Sequence, residues 1–404
     1  MASFSKTTEA LRKSSEYKNA RKTKREHPKG WEPGIDVKGD KTTLTADPVP
    51  KGQEIDDWGP LLKQWNFDPK KFKVQKDEIQ FRSWDMLTPN GKETMLYYRA
   101  TIVRIDETSK VYDVKPLVDR ISKHKAKPPA KNKGKDAFIV CLSDWQIGKQ
   151  DGDGVEGTVD RVLKGIDDVT HRFKQLEKLG HTFDRIIIAG LGDLVEGCSQ
   201  FYEMQTYSVE INQRDQINVG TNLLVKCIEA WSKLAPNIIC VSLPGNHGEN
   251  RKNGKAYTDF GDNYDLLIFD NAQRVFETNK KTYGHVNFLI PDKDLTMTLD
   301  VHGKILGMCH GHQFRAGGQG SAMKAQNWLK NQALAKTPIG DSDIFLSAHY
   351  HHLSVLHERS TSFIQAPALD GGSLWVENTQ GLTTQPGVLT FCINSDGFHS
   401  LEVL

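Results

Sequence analysis

Within residues 137–360, short apolar, β-branched runs end repeatedly in small polar clusters: Asp144-Trp145-Gln146, Gly192-Asp193-Leu194-Val195-Glu196, Gly245-Asn246-His247, His310-Gly311-His312 and His349-Tyr350-His351. Runs of this length without polar alternation read as strands buried on both faces. A strand that stops at a polar cluster places that cluster on a loop at its carboxyl edge, where open α/β sheets carry their chemistry. The five clusters are therefore expected to share one edge of the molecule.

The intervening segments agree with this reading. Ala137–Leu142, Arg185–Ala189 and Ile238–Leu243 are the first buried-type strands, separated by helical stretches near 157–179 and 209–234. That βαβα order starts a parallel sheet. After a helix near 259–277, strands are expected at about 285–290, 296–301, 304–309, 343–347, 353–357, 361–366, 387–393 and 397–403. A second, more antiparallel sheet built from these and packed on the first gives a four-layer α/β/β/α sandwich.

The chain ahead of this region differs in charge. Residues 1–135 hold 30 Lys and Arg against 19 Asp and Glu, so a near-neutral total of +2 hides a basic front and an acidic back. Carboxylates that hold metals would account for the acidic part, and a basic appendage suits a polyanion. A solvated lysine-rich tail is the plainer alternative. Residues 1–35 read as a basic, flexible arm closed by Pro28 and Pro33. Residues 36–121 read as a small α+β domain: Trp58, Leu61, Leu62 and Trp65 form one apolar helical face, and alternating strands span 72–116 around a Pro89-Asn90-Gly91 turn. Trp84, Tyr97, Tyr98 and Arg99 could stack on bases, although aromatics in a small sheet more often fill its core. The Lys- and Pro-rich stretch 122–135 reads as a linker to a catalytic domain over 136–404.

Cys141, Cys240, Cys309 and Cys392 fall in strand-like runs, and Cys198 and Cys227 elsewhere, with no CxxC pair. Buried thiols in a reducing compartment are expected. No window approaches the ~18 apolar residues of a bilayer span, so no membrane role and a cytoplasmic location are expected.

Taken singly, each cluster has a structural explanation. Asp144 could cap a helix, His310 and His349 could be hydrogen-bonded core histidines, Asn246 could shape a turn, and Glu196 could sit at a helix start. Five in series after strands resemble the calcineurin-like metallophosphoesterase superfamily, and within it the phage and recombination nuclease branch related to double-strand-break-repair exonucleases. The resemblance spans residues 137–360.

That resemblance implies two divalent ions, with Asp144, Gln146 and His351 on the first, Asn246, His310 and His349 on the second, and Asp193 bridging both. It implies further that a hydroxide shared by the ions attacks phosphorus while His247, oriented by Glu196, protonates the leaving oxygen. Gln146 stands where the family has a histidine, which favours Mn2+, with Mg2+ possible, over Zn2+ or iron. Gly248 precedes Glu249 where an acidic residue would directly follow the histidine, so Glu249 has no assigned role, and Ala348 replaces a glycine. Arg315, His312 and His352 are candidate substrate contacts. If the chain is of phage origin, the cytoplasm is that of the host.

Substrate class does not follow from such a core. The basic front and the nuclease-like motifs point to DNA, and hence to an exonuclease or endonuclease of phage-type repair, recombination or replication. Two alternatives are a phosphodiesterase or phosphatase acting on small molecules or phosphoproteins, and a DNA-binding protein whose catalysis is weakened through Gln146.

Overall fold

The computed structural model describes residues 30–38, 41–65, 67–69, 72–88, 91–104, 114–198, 209–314, 320–358, 360–372, 377–378, 383 and 385–404. The chain divides into two compact units, Met1–Glu107 and Thr108–Leu404.

The first unit contains β1 (Gly34–Lys38), β2 (Lys41–Thr45), β3 (Val49–Pro50), helix α1 (Gly59–Gln64), β4 (Phe72–Thr88) and β5 (Gly91–Arg104). The strands pair antiparallel in the order β1-β2-β5-β3, and β4 also pairs with β5. Leu44, Leu96, Tyr98 and Ile102 form the core with Leu62 of α1. Trp31, expected in the basic arm, is instead buried against Met95 and Tyr97, with the Arg99 guanidinium 4.5 Å from the centre of its ring. An indole offers more burial than an arm can leave in water, so the unit begins at least by residue 31. Tyr97 and Tyr98 are buried, and Trp84 stacks on Tyr97 at 4.5 Å, so these aromatics fill the core of the sheet. Residues 1–29 of the arm and the Pro89-Asn90 turn lie outside the described residues.

The second unit begins with helix α2 (Lys115–Lys123), whose Leu117 and Ile121 are buried in that unit's core. The boundary between units thus falls ahead of the Lys/Pro stretch at 122–135. Then follow β6 (Asp136–Leu142), α3 (Gly154–Lys178), β7 (Phe183–Gly190), α4 (Gln213–Trp231), β8 (Ile238–Ser242), the short hairpin β9 (Arg251–Lys252) and β10 (Lys255–Ala256), α5 (Tyr264–Glu277) and α6 (Lys280–Tyr283). The remaining elements are β11 (Val286–Leu289), β12 (Thr296–Val301), β13 (Lys304–Cys309), α7 (Ser321–Leu334), β14 (Ile344–Ser347), β15 (Ser354–His357), β16 (Ser362–Gln365), β17 (Leu389–Asn394) and β18 (Gly397–Val403).

Two sheets result, with orders β11-β8-β7-β6-β17-β18 and β12-β13-β14-β16-β15. Contrary to the expectation from sequence, the late strands do not all enter the second sheet. β11 continues the parallel order beside β8, and β17, from the far end of the chain, pairs antiparallel with β6 and carries β18 as the other edge. The second sheet is mixed, because β13, β14 and β16 run parallel.

Burial explains the layering. Along β6, Phe138, Val140 and Leu142 join a core with α3, α4 and α5, while Ala137, Ile139 and Cys141 join a second core with β13, β14 and β16. Side chains alternate across a strand, so one fully apolar run serves both cores. On the outer face of the second sheet, Ala325 and Leu329 of α7 cover Cys309 and Phe345. The order of layers is helix, sheet, sheet, helix. The six cysteines are free, and all but Cys198 are buried. Among the described residues no helix is long and apolar enough to cross a membrane.

Candidate metal centre

The five clusters meet at one edge. Asp144, Asp193 and Asn246 follow the carboxyl ends of β6, β7 and β8, and His310 and His349 follow those of β13 and β14. Backbone bonds continue the pairing into the loops: Asp144 N donates to Gly192 O at 3.0 Å, Gln146 N to Asp193 O at 3.0 Å, and Ala348 N to His310 O at 2.8 Å. The loops are thereby fixed to one another as strands are.

Their close approach demands glycine twice. A Cβ on Gly245 would lie 2.2 Å from Asp193 Oδ1, and one on Gly192, where φ is +90°, would lie 2.7 Å from the Gly245 backbone. Of the nine non-glycine residues with positive φ among the described residues, five are Asp144, Gln146, Asp193, His349 and His351. That region is sparsely populated by L-residues and costs about 1 kcal/mol or more at each position, a cost typical of functional sites.

Asp193 is buried at the centre. Its Oδ2 lies 2.9 Å from His310 Nε2, and its Oδ1 accepts from His247 N at 2.7 Å. His310 Nε2 is also 3.1 Å from Asn246 Oδ1, while its Nδ1 is 2.7 Å from Leu191 O. With the ring proton on Nδ1, Nε2 turns a lone pair toward two further oxygen acceptors. Either a second ring proton or a cation must reconcile them. Asp193, His310 and His349 can place one ligand atom each within 4.8 Å of one another.

Asp144 and His351 form a neighbouring pair, with Asp144 Oδ1 3.3 Å from His351 Nε2 and Asp144 Oδ2 accepting from His349 N at 3.2 Å. Asp144 Oδ1 and Asp193 Oδ2 are buried, and each faces an imidazole nitrogen with no backbone or amide donor beside it among the described residues. Buried carboxylate oxygens set against imidazole nitrogens are what a divalent cation would bridge in place of a ring proton, so the donor set fits one.

The electrostatics reflect crowded charges. Burial opposes ionisation of His310, but the adjacent Asp193 outweighs it and lifts the imidazole up to about 9. His351 is lifted likewise, to about 10, by Asp144 and then Asp370. His349 is pushed down to about 3, first by burial and then by the His310 charge, leaving it neutral as a ligand must be.

His247 reaches toward the same space. Its Nδ1 is 3.2 Å from Glu196 Oε2 and 3.0 Å from Glu196 O, and its Nε2 is 3.4 Å from the Gln146 amide. Burial works against its charge, while Asp193 and Glu196 raise it to about 9. His312 lies beside the cluster, its ring 5.4 Å from that of His310, and is pushed down to about 3, chiefly by burial. His352 bonds Tyr350 O at 2.8 Å and approaches Ser321 Oγ at 3.5 Å, and neither partner is one of the expected ligands. Arg315 lies outside the described residues.

Four supporting residues were not expected. Asp265, fully buried at the start of α5, accepts three backbone N–H groups: Asp193 at 2.9 Å, Leu194 at 2.8 Å and Gly245 at 2.9 Å. Asn263, the N-cap of α5, donates to Gly245 O at 2.8 Å. Helix α5 thus grips the Gly245 loop by both its donor and its acceptor. The Asn263-x-Asp265 spacing ahead of an apolar run was the available signal, an N-cap with an acidic first turn. Asp370 stands behind His351 at 3.5 Å and pairs with Lys149. Glu249 forms an ion pair with Arg251 at 2.6 Å and lies 3.8 Å from His312, which gives it a charge partner at the rim.

No family model matches the chain, and no curated protein matches it. Solved structures give low-identity similarities. Wild-type Vps29 complexed with zinc from Entamoeba histolytica is 12% identical with a TM-score of 0.29, over 65% of this chain and 88% of that one. An archaeal phosphodiesterase is 12% identical with a TM-score of 0.30, over 66% and 99%. A conserved protein of Streptococcus pneumoniae described as a predicted phosphoesterase is 12% identical with a TM-score of 0.26, over 67% and 93%. Likeness at this level carries no functional weight, and what the site can do rests on its own side chains.

Proposed function

We propose that the chain is a two-metal hydrolase of phosphodiester bonds whose substrate is DNA. The observation that carries the reading is the pair of buried oxygens, Asp144 Oδ1 and Asp193 Oδ2, each facing a histidine nitrogen with no backbone or amide donor beside it among the described residues. Asp144, Gln146 and His351 would hold one ion and Asn246, His310 and His349 the other, with Asp193 between them. Such ions supply Lewis acidity toward a phosphoryl oxygen and a nucleophile at neutral pH. Gln146 in place of an imidazole makes Mn2+ or Mg2+ the favoured metal.

The remaining steps belong to the chain's own groups. His247, held by Glu196 through Nδ1, carries a proton at Nε2 and can deliver it to the departing oxygen. The Glu196 carboxylate beside Nδ1 favours the charged ring, the form a general acid needs. The buried loop backbone excludes water from behind the ligands, which strengthens every charge interaction inside.

The basic composition of residues 1–135 supports a polyanionic substrate. The experiment is degradation of labelled linear duplex, single-stranded and circular DNA in Mn2+ by the parent chain, Asp193→Ala and His247→Ala. The parent is expected to cut, and each variant to lose at least about a hundredfold. Cleavage by both variants at the parent rate would remove the assignment, and intact DNA beside rapid hydrolysis of p-nitrophenyl phosphate esters would move it to small-molecule or protein substrates.

A further inference from the structure

A second convergence of ligand-type side chains lies at the opposite end of β6. Asp136 opens that strand, and Asp144 follows its close, so about 20 Å of extended chain separates the two ends. His181 Nδ1 lies 3.0 Å from Asp136 Oδ2, and His399 Nε2 lies 3.1 Å from Asp136 Oδ1. The two imidazoles stack nearly parallel, 5.1 Å apart at 19°, and so direct their nitrogens at one carboxylate. All three residues can offer a ligand atom within 4.8 Å of the others.

The backbone is shaped to bring His399 there. Pairing of β17 with β18 slips between Thr390 and Cys392, which sets Ser400 and Leu401 against a single residue. Ser400 takes φ +53° at this bulge, a left-handed conformation in a residue other than glycine. Bulges re-aim side chains, and this one follows His399 directly. Ser400 Oγ lies 3.0 Å from His399 Nδ1, which fixes the ring by its outer nitrogen as partners of metal-bound histidines do. Asn394 Nδ2 donates to Asp136 Oδ1 at 3.2 Å and orients the carboxylate in the same way.

We propose that Asp136, His181 and His399 bind one divalent transition-metal ion of the Zn2+ class, separate from the catalytic pair. Nitrogen-to-oxygen spans of 3.0 and 3.1 Å fall a few tenths of an ångström short of the ~3.3 Å between two ligands on one tetrahedral ion, a gap that small side-chain rotations close. Two imidazoles and one carboxylate suit a borderline cation, in contrast to the oxygen-rich set at the other edge. The carboxylate is buried, while the histidine side chains are 29% and 28% exposed, which leaves a path for the ion and room for a water as fourth ligand. Bound there, the ion ties the edge strand β18 and the α3–β7 turn to the first strand of the sheet. Its role is to brace the sheet rather than to carry out chemistry.

The test uses the full chain, stripped of metal, with Asp193→Ala and His310→Ala together removing the catalytic ligands. Zn2+ titration by calorimetry is expected to give one site per chain, and the thermal midpoint is expected to rise by about 5 °C at a hundredfold excess over Kd. Co2+ in its place is expected to show the visible absorption of a tetrahedral site. His399→Gln keeps a hydrogen-bond donor toward Asp136 but not an imidazole, and is expected to weaken binding at least about fiftyfold. Should that variant fail to fold, His181→Gln provides the same comparison. Unchanged stoichiometry and affinity in either variant, or no ion bound by the chain lacking the catalytic ligands, would overturn the proposal and leave the triad a hydrogen-bonded staple.

Discussion

Removal of the Asp265 carboxylate tests whether α5 builds the metal centre from behind. Oδ2 accepts from Asp193 and Gly245 and Oδ1 from Leu194, all inside a fully buried pocket. Asp265→Ala leaves three buried N–H groups without acceptors, each costing about 1–3 kcal/mol. Relaxation of the loops offsets part of this, so a loss of about 3–6 kcal/mol in unfolding free energy is expected, a large share of the ~5–15 kcal/mol of a typical domain. Asp265→Asn keeps the volume and can retain the two bonds at one oxygen while its amide meets Leu194 N–H. One bond is lost, at about 1–3 kcal/mol, and repulsion from Asp193 is relieved. Burial and the Asp193 charge already push the Asp265 carboxyl up to about 6. The expected order is parent, then Asp265→Asn, then Asp265→Ala, in urea melts in chelator followed by far-UV circular dichroism. Mn2+ affinity measured by calorimetry is expected to fall in the same order, because the Asp193 and Gly245 loops lose their common anchor. Equal stability of Asp265→Ala and the parent, with equal Mn2+ binding, would refute the role.

Two further outcomes follow from the geometry. His247→Ala is expected to slow cleavage of alkyl phosphodiesters by about 10²–10⁴-fold while sparing p-nitrophenyl esters, whose leaving group needs no proton; equal losses on both in steady-state assays would contradict a general acid. Burial opposes ionisation of Asp136, but bonds from His181, His399 and Asn394 prevail and hold its carboxyl below the usual range. A depressed folded pKa gives stability that is present above the unfolded value near ~3.9 and lost as pH falls through the folded one. The deficit of Asp136→Asn in chelated protein should therefore shrink below about pH 4, as read from urea midpoints.

The sequence was most legible where one property ran unbroken. The apolar stretches of β6, β7 and β8 could bury both faces, and each ended at a polar cluster that the fold brings to one edge, so Asp144, Asp193 and Asn246 stood out. His310 and His349 stood out for the same reason on the second sheet. Sheet membership was less legible, because the pairing of β17 with β6 across distant chain leaves no local trace. Helix α7 escaped notice, since only Ala325 and Leu329 are buried and its apolar stripe is narrow. Asp265 and Asp370 look like surface acids in sequence. Their importance comes from which backbone amides and imidazoles the fold folds back upon them.

The left-handed loop residues have a consequence for any attempt to harden this molecule. Asp144, Gln146, Asp193, His349 and His351 occupy a backbone shape native to glycine, so exchange to glycine would release torsional strain at each. A screen that rewards heat resistance alone would tend to erode those five positions early, because robustness and reactivity draw on the same atoms in opposite directions.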